Sequence, residues 1–141
     1  MAASDATIKR LLETTRTIAL SGASADPTRD SRQVMAFLQS RGYRVFPVNP
    51  ALAGQELLGE KVYADLASIP GEIDLVDVFR RSEAAGAVVD QAIARKAKAV
   101  WLQLGVIDAA AIARAEAAGL VAVMDRCPKI EIRRLGIAPV G

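Results

Sequence analysis

Residues 17–32 read TIALSGASADPTRDSR: a short apolar run, a turn built from glycine, serines, alanine and proline, then two arginines beside a serine. An apolar β-type run that gives way to a glycine turn and then to helix-forming residues is the start of a β-α unit. If the unit repeats, the chain is an α/β domain. Four further runs of the same type follow: RVFPV (44–48), DLVDVF (74–79), AVWLQL (99–104) and LVAVM (120–124). They are nearly continuously apolar rather than alternating, as parallel strands covered on both faces must be.

Helical patterns separate most of these runs. Before the first, Asp5 is placed to cap a helix through Ile8, Leu11 and Leu12. After it, Ser31 is placed to cap a helix carrying Val34, Phe37 and Leu38, which Gly42 ends. Ser82 stands at the head of a helix from about Glu83 to Lys96, with Val89, Ala92, Ile93 and Lys96 at helical spacing. Asp108 and Gly119 bracket an alanine-rich helix. A last short helix begins near Pro128 and carries Ile130 and Leu135. The stretch 50–73 is less regular; KVYADL reads as a short edge strand and DLASIP as a helical turn.

Strands alternating with helices of this length make a doubly wound, Rossmann-like α/β fold: a mainly parallel sheet of about five or six strands with helices on both faces. One domain over residues 1–141 is expected, with an N-terminal helix (1–16) packed on it. The chain length suits this, since such a domain buries about two thirds of its unfolded surface. Apolar content of 52% against 24% charged residues argues against disorder.

Composition also narrows function. A net charge of +2 with no polybasic run gives no reason to expect nucleic-acid binding. No run reaches membrane-spanning length, and the N-terminus lacks a secretory pattern. One cysteine, Cys127, forms no intramolecular disulfide, which suits the cytoplasm. There is no histidine, so Ser/His/Asp triads, Cys/His dyads and histidine metal sites are excluded. No catalytic constellation is evident.

In doubly wound sheets, ligands sit beyond the carboxyl ends of the strands, where the strand order reverses. The residues just after each run are therefore the candidates: Ser21, Gly22, Ala23 and Ser24; Asn49 and Pro50; Arg80, Arg81 and Ser82; Gly105; and Arg126, Cys127, Pro128 and Lys129. Arg29, Arg32, Arg80, Arg81, Arg126 and Lys129 all fall near helix amino ends, where a cation is unfavourable unless an anion lies between. Any one of them is equally well a solvated residue paired with Asp26, Asp30, Glu83 or Asp125; together they favour an anionic ligand.

The first turn matches the dinucleotide fingerprint only at Gly22, and it is long for a tight turn. Its small residues let the Gly22, Ala23 and Ser24 amides approach phosphate oxygens, although an ordinary loop would read the same way. The second strand discriminates better. NAD-binding proteins place an acid there, about 20 residues past the glycines, to hold the ribose diol. Here Asn49 and Pro50 occupy that place. They leave room for a phosphate on the ribose, as in coenzyme A or NADP.

SGAS, YRVFPVNP, DLVDVFRRSE, KAVWLQLGV and GLVAVMDRCPKIEI together resemble the bacterial CoA-binding protein family, small relatives of the CoA-binding domain of the succinyl-CoA synthetase alpha subunit. The resemblance covers about residues 7–136. It implies coenzyme A, or an acyl-CoA, held across the strand ends. Gly22, Ala23 and Ser24 would lie near phosphates, and Val48, Asn49 and Pro50 near the adenosine. Phe79, Arg80 and Ser82 would line the switch point, and Leu104, Gly105, Cys127, Pro128 and Lys129 the remainder. Ligase activity is not implied, because the phosphorylated histidine of the synthetase lies in a second domain that has no counterpart here.

Cys127 has two readings: a reactive thiol between Arg126 and Lys129, or a small buried filler, which cysteine more often is. Trp101 reads as core, and Asp77 as a buried hydrogen-bonding acid near the site. Two functions stay open. One is non-catalytic binding of CoA as a carrier, sensor or partner module, alone or as a homo-oligomer. The other is an NADP-dependent oxidoreductase or a nucleotide-responsive regulator.

Overall fold

The computed structural model describes residues 2–141. Helix α1 (Asp5–Thr14) precedes β1 (Thr17–Ser21), α2 (Asp30–Ser40) and β2 (Arg44–Val48). A short 3-10 turn (Pro50–Leu52) leads to the two-residue strands β3 (Glu56–Leu57) and β4 (Glu60–Lys61). The chain continues through β5 (Leu75–Val78), α3 (Ser82–Ala94), β6 (Ala99–Leu102), α4 (Ala109–Ala117), β7 (Val121–Val123) and α5 (Pro128–Arg134). The main sheet is five-stranded, in the order β2-β1-β5-β6-β7, and every pairing in it is parallel. The chain runs from β1 outward to β2, then returns to place β5 on the other side of β1. That reversal is the topological switch point.

Each strand sends alternate residues to opposite faces, so a doubly covered sheet needs apolar residues at almost every position. Ile18, Leu20, Val45, Leu75 and Trp101 face one core, which Ile8 and Leu12 of α1, Met35 and Leu38 of α2 and Ile132 of α5 complete. Ala19, Phe46, Val76, Val100 and Leu102 face the other, under Val88 and Val89 of α3 and Ile112 of α4. Tyr43 ties α1 to the sheet edge by donating its hydroxyl hydrogen to the Leu12 carbonyl.

Three cap assignments move. Ser4, not Asp5, caps α1, accepting from the Thr7 amide at 3.2 Å, while Asp5 pairs with Arg134 at 2.7 Å. Arg29 stands at the N-cap of α2 with no side-chain bond, and Ser31 lies buried within the helix. Ser82 is the first helical residue of α3, behind Arg81. Its hydroxyl oxygen instead accepts from the Ile107 amide at 2.9 Å, which fastens α3 to the β6–α4 loop. Asp108 caps α4 as its position implies, accepting from Ala111 at 3.0 Å.

The irregular stretch also differs from the sequence reading. KVYADL supplies no sixth strand to the main sheet: Lys61 ends a separate β3–β4 hairpin, and Tyr63 makes one isolated parallel bridge to Val48. Leu58 and Gly59 turn that hairpin with φ of 49° and 80°, the positive pair a two-residue turn requires. DLASIP does form the expected turn, with the Ile69 amide donating to the Leu66 carbonyl at 3.3 Å and the Asp65 carboxylate accepting from the Ser68 amide at 2.9 Å.

Candidate functional site

An open cleft of about 1030 Å³ lies over the carboxyl ends of the strands at the switch point. Gly22, Ala23 and Ser24 form its floor after β1, Asn49 closes the β2 side, and Phe79 enters from β5. Leu104, Cys127 and Lys129 stand on the β6 and β7 side.

Gly22 is held by a close crossing of two backbones. Its φ is 89°, and a Cβ built there would lie 2.0 Å from the Phe79 carbonyl oxygen. Only glycine fits where the turn after β1 presses on the end of β5. The same Cβ would lie 3.1 Å from Cδ of Arg80, so the arginine side chain passes directly over this turn.

The amides of Gly22 and Ala23 are not free for a ligand, contrary to the reading of the turn. Both donate to the Val48 carbonyl, at 3.0 and 3.1 Å. Val48 itself is buried and acts through that carbonyl. Asn49 is likewise committed: its Nδ2 donates to the Ala23 carbonyl at 2.8 Å and its Oδ1 accepts from the Ala51 amide at 2.9 Å. It clamps the first turn to the end of β2 and starts the 3-10 turn. No acid stands there to take a ribose diol.

The remaining candidates are spread around this frame. Pro50 is exposed in the 3-10 turn, and Pro128 is buried as the first residue of α5. The Gly105 amide donates to the Asp125 carboxylate at 2.8 Å. Arg32 is half-buried on α2, and its Nε has no hydrogen-bond partner. Ser82 serves the loop junction described above.

The cleft wall also contains residues the sequence reading passed over, Gln103, Val106 and Ile130 among them. Gln103 reads as a strand residue and Ile130 as a helix-core residue. Ile130 is in fact 50% exposed, at the cleft mouth. Asp26 lies on the opposite wall. Hydrogen bonds from the Thr28 amide and hydroxyl, at 2.9 and 2.7 Å, lower its pKa and brace the loop into α2.

Charge around the cleft is unevenly compensated. Arg126 pairs with Glu131 at 2.6 Å. Burial alone would raise the Glu131 pKa, but hydrogen bonds from Arg134 and Arg126 outweigh it and hold the carboxyl below its ordinary value. Arg29 and Lys129 in the wall, and Arg80 over Gly22, have no ion-pair partner among the described residues. A nearby Glu83 does not take up Arg80.

Three core residues bear on the site from below. Trp101 is fully buried, and its indole N–H donates to the Arg126 carbonyl at 2.7 Å. Cys127 is 7% exposed; it belongs to the apolar cluster beneath the sheet and also touches the cleft. Asp77 lies in register between Leu20 and Trp101, fully buried. It is not the hydrogen-bonding acid expected: neither carboxylate oxygen has a partner, and burial pushes its pKa well above the ordinary value.

A doubly wound parallel sheet with a cation-edged cleft at its switch point defines a Rossmann-like ligand-binding domain. The chain belongs to the CoA binding domain family, whose model matches residues 16–133. It is 37% identical over 127 residues to the uncharacterized protein YneT of Bacillus subtilis (strain 168), covering 90% of this chain and 93% of that protein. A hypothetical protein from Pyrococcus horikoshii OT3 superposes with a TM-score of 0.89 at 40% identity, covering 94% of this chain and 92% of that one. The fold also recurs in the dinucleotide forming acetyl-coenzyme A synthetase 1 of Ca. Korarchaeum cryptofilum, solved with phosphate and ADP. That match has a TM-score of 0.68 at 24% identity and covers 82% of this chain and 26% of the synthetase. No helix among the described residues is long and apolar enough to cross a membrane.

Proposed function

We propose that this protein binds coenzyme A, free or acylated, in the switch-point cleft, and does so as a cytoplasmic carrier, sensor or partner module without a reaction of its own. The observation that carries this reading is the family match: every residue lining the cleft, from Gly22 to Ile130, lies inside the matched span 16–133. The cations support it. Arg29, Arg80 and Lys129 offer unpaired positive charge to a ligand that carries a pyrophosphate and a 3′-phosphate. Asn49, spent on the Ala23 carbonyl and the Ala51 amide, leaves the end of β2 without the acid that NAD would use. The absence of histidine and the single cysteine leave few groups for acid–base or nucleophilic work, which favours binding over catalysis.

Calorimetry with CoA, dephospho-CoA, NAD and NADP tests the assignment. CoA is expected to bind most tightly, dephospho-CoA more weakly, and both less tightly as salt rises. Equal or tighter binding of NAD or NADP overturns it. Mass spectrometry of the denatured purified protein supplies the independent check, since a retained ligand identifies itself.

A further inference from the structure

Gln103 presents a polar group to the cleft for which the fold provides no use. Its amide N–H donates to the Val78 carbonyl at 3.3 Å, and its carbonyl accepts from Val106 at 2.9 Å, so the backbone is satisfied. Alternation along β6 directs its side chain to the same face as Ala99 and Trp101, at the end where the strand opens into the cleft. The side chain is 7% exposed, and its Oε1 is buried without a hydrogen-bond partner. Buried side-chain oxygens of this kind are almost always bonded, and leaving one unmade is costly. The neighbouring wall is apolar: Val106 is buried, while Leu104 and Ile130 are 54% and 50% exposed at the mouth. A single carboxamide set in a hydrocarbon wall matches a ligand that alternates amide groups with aliphatic segments.

We infer that Gln103 is the specificity-determining residue for the pantetheine arm: its carboxamide pairs with an amide of the arm while Leu104 and Ile130 cover the hydrocarbon on either side. The inference rests on the cleft being a CoA site and names the part of the ligand that this wall reads. The arm, with the phosphate that carries it, is what distinguishes CoA from its nucleotide fragment, 3′,5′-ADP; Gln103 is assigned to the arm and not to that phosphate. Asn49, bonded to the Ala23 carbonyl, and Arg80, whose side chain passes over Gly22, stand at the first turn and do not serve this discrimination.

Calorimetric titration of the full chain with CoA and with 3′,5′-ADP separates the two portions. Gln103→Met, which keeps length and removes the carboxamide, is expected to weaken CoA about tenfold and to leave 3′,5′-ADP within about twofold of the parent. Its ligand-free melting temperature should not fall, because a buried unpartnered polar group has been removed. Leu104→Ser, at an exposed position, provides a second variant and should weaken CoA about threefold with 3′,5′-ADP unchanged. Unchanged CoA affinity in Gln103→Met overturns the inference, as does equal weakening of both ligands. Loss of NADP binding with CoA retained would assign the carboxamide to a nicotinamide and also overturn it. If the parent protein binds neither CoA nor 3′,5′-ADP, the CoA reading falls and this inference with it.

Discussion

Replacing Asp77 by asparagine should stabilise the protein at neutral pH, and the gain should depend on pH in a defined way. The side chain is fully buried between Leu20 and Trp101, with no hydrogen-bond partner for either oxygen. Burial raises its folded pKa well above that of an exposed aspartate, about 3.9 in the unfolded chain. Below the unfolded value both states are protonated, and Asp77 adds no pH dependence. Above it the unfolded chain releases a proton that the folded chain keeps, so stability falls as pH rises until the folded pKa is reached. The slope in that window is about 1.4 kcal/mol per pH unit for one group. For a chain of 141 residues this corresponds to about 5 °C in melting temperature per unit. Asparagine has nearly the same shape and cannot ionise. Urea unfolding of parent and Asp77→Asn at a series of pH values should therefore give curves that nearly meet around pH 4 and diverge above it, with the variant more stable. Parallel curves, or a variant less stable at pH 7, would refute the reasoning, because they would mean that the carboxylate is ionised and held by a partner.

Other perturbations test the frame of the cleft. Gly22→Ala places a Cβ 2.0 Å from the Phe79 carbonyl oxygen at a φ of 89°, and should cost about 3 kcal/mol or more in urea unfolding, or prevent folding. Asn49→Ala removes both clamp bonds, to the Ala23 carbonyl and from the Ala51 amide. It should lower stability by about 1–3 kcal/mol in the same assay; an unchanged midpoint would show that the loop holds without it. Arg80→Ala should weaken CoA about tenfold to a hundredfold by calorimetry and leave the ligand-free melting temperature unchanged, since the guanidinium has no ion-pair partner among the described residues. CoA affinity equal to the parent's would show that it is not a phosphate ligand.

The five main strands were legible because a doubly covered parallel strand must be apolar at nearly every position, and TIAL, RVFPV and AVWLQL say so directly. Their order in the sheet is a matter of long-range pairing, which no local pattern records. Helix starts fall a residue or two away from where the hydroxyl and carboxylate pattern puts them. Ser31 is buried inside α2, and Ser82 accepts from Ile107 across the β6–α4 loop. The β3–β4 hairpin escaped notice because its strands are two residues long and its turn, Leu58-Gly59, puts a leucine at positive φ, where the usual signal is Asn or Asp followed by Gly. In the cleft, position after a strand was a sound guide to Gly22, Asn49 and Cys127 as wall residues. It could not reveal that the Gly22 and Ala23 amides are spent on Val48. Nor could it single out Gln103, which sits in an apolar run and differs from its neighbours only in having an oxygen with nothing to bind.

The hydrogen bond from the Trp101 indole to the Arg126 carbonyl gives the molecule an optical gauge. Trp101 is the one tryptophan in the chain, so ultraviolet emission excited at its absorption edge comes from a single known place. Its ring lies sealed in the core, while its N–H is tethered at 2.7 Å to the segment that runs directly into Cys127 and Lys129 of the cleft wall. A ligand that pulls this segment changes the polarity and quenching felt by the indole without touching it. The emission spectrum thus reports the position of the β7–α5 loop, with no label added and no residue of the cleft altered.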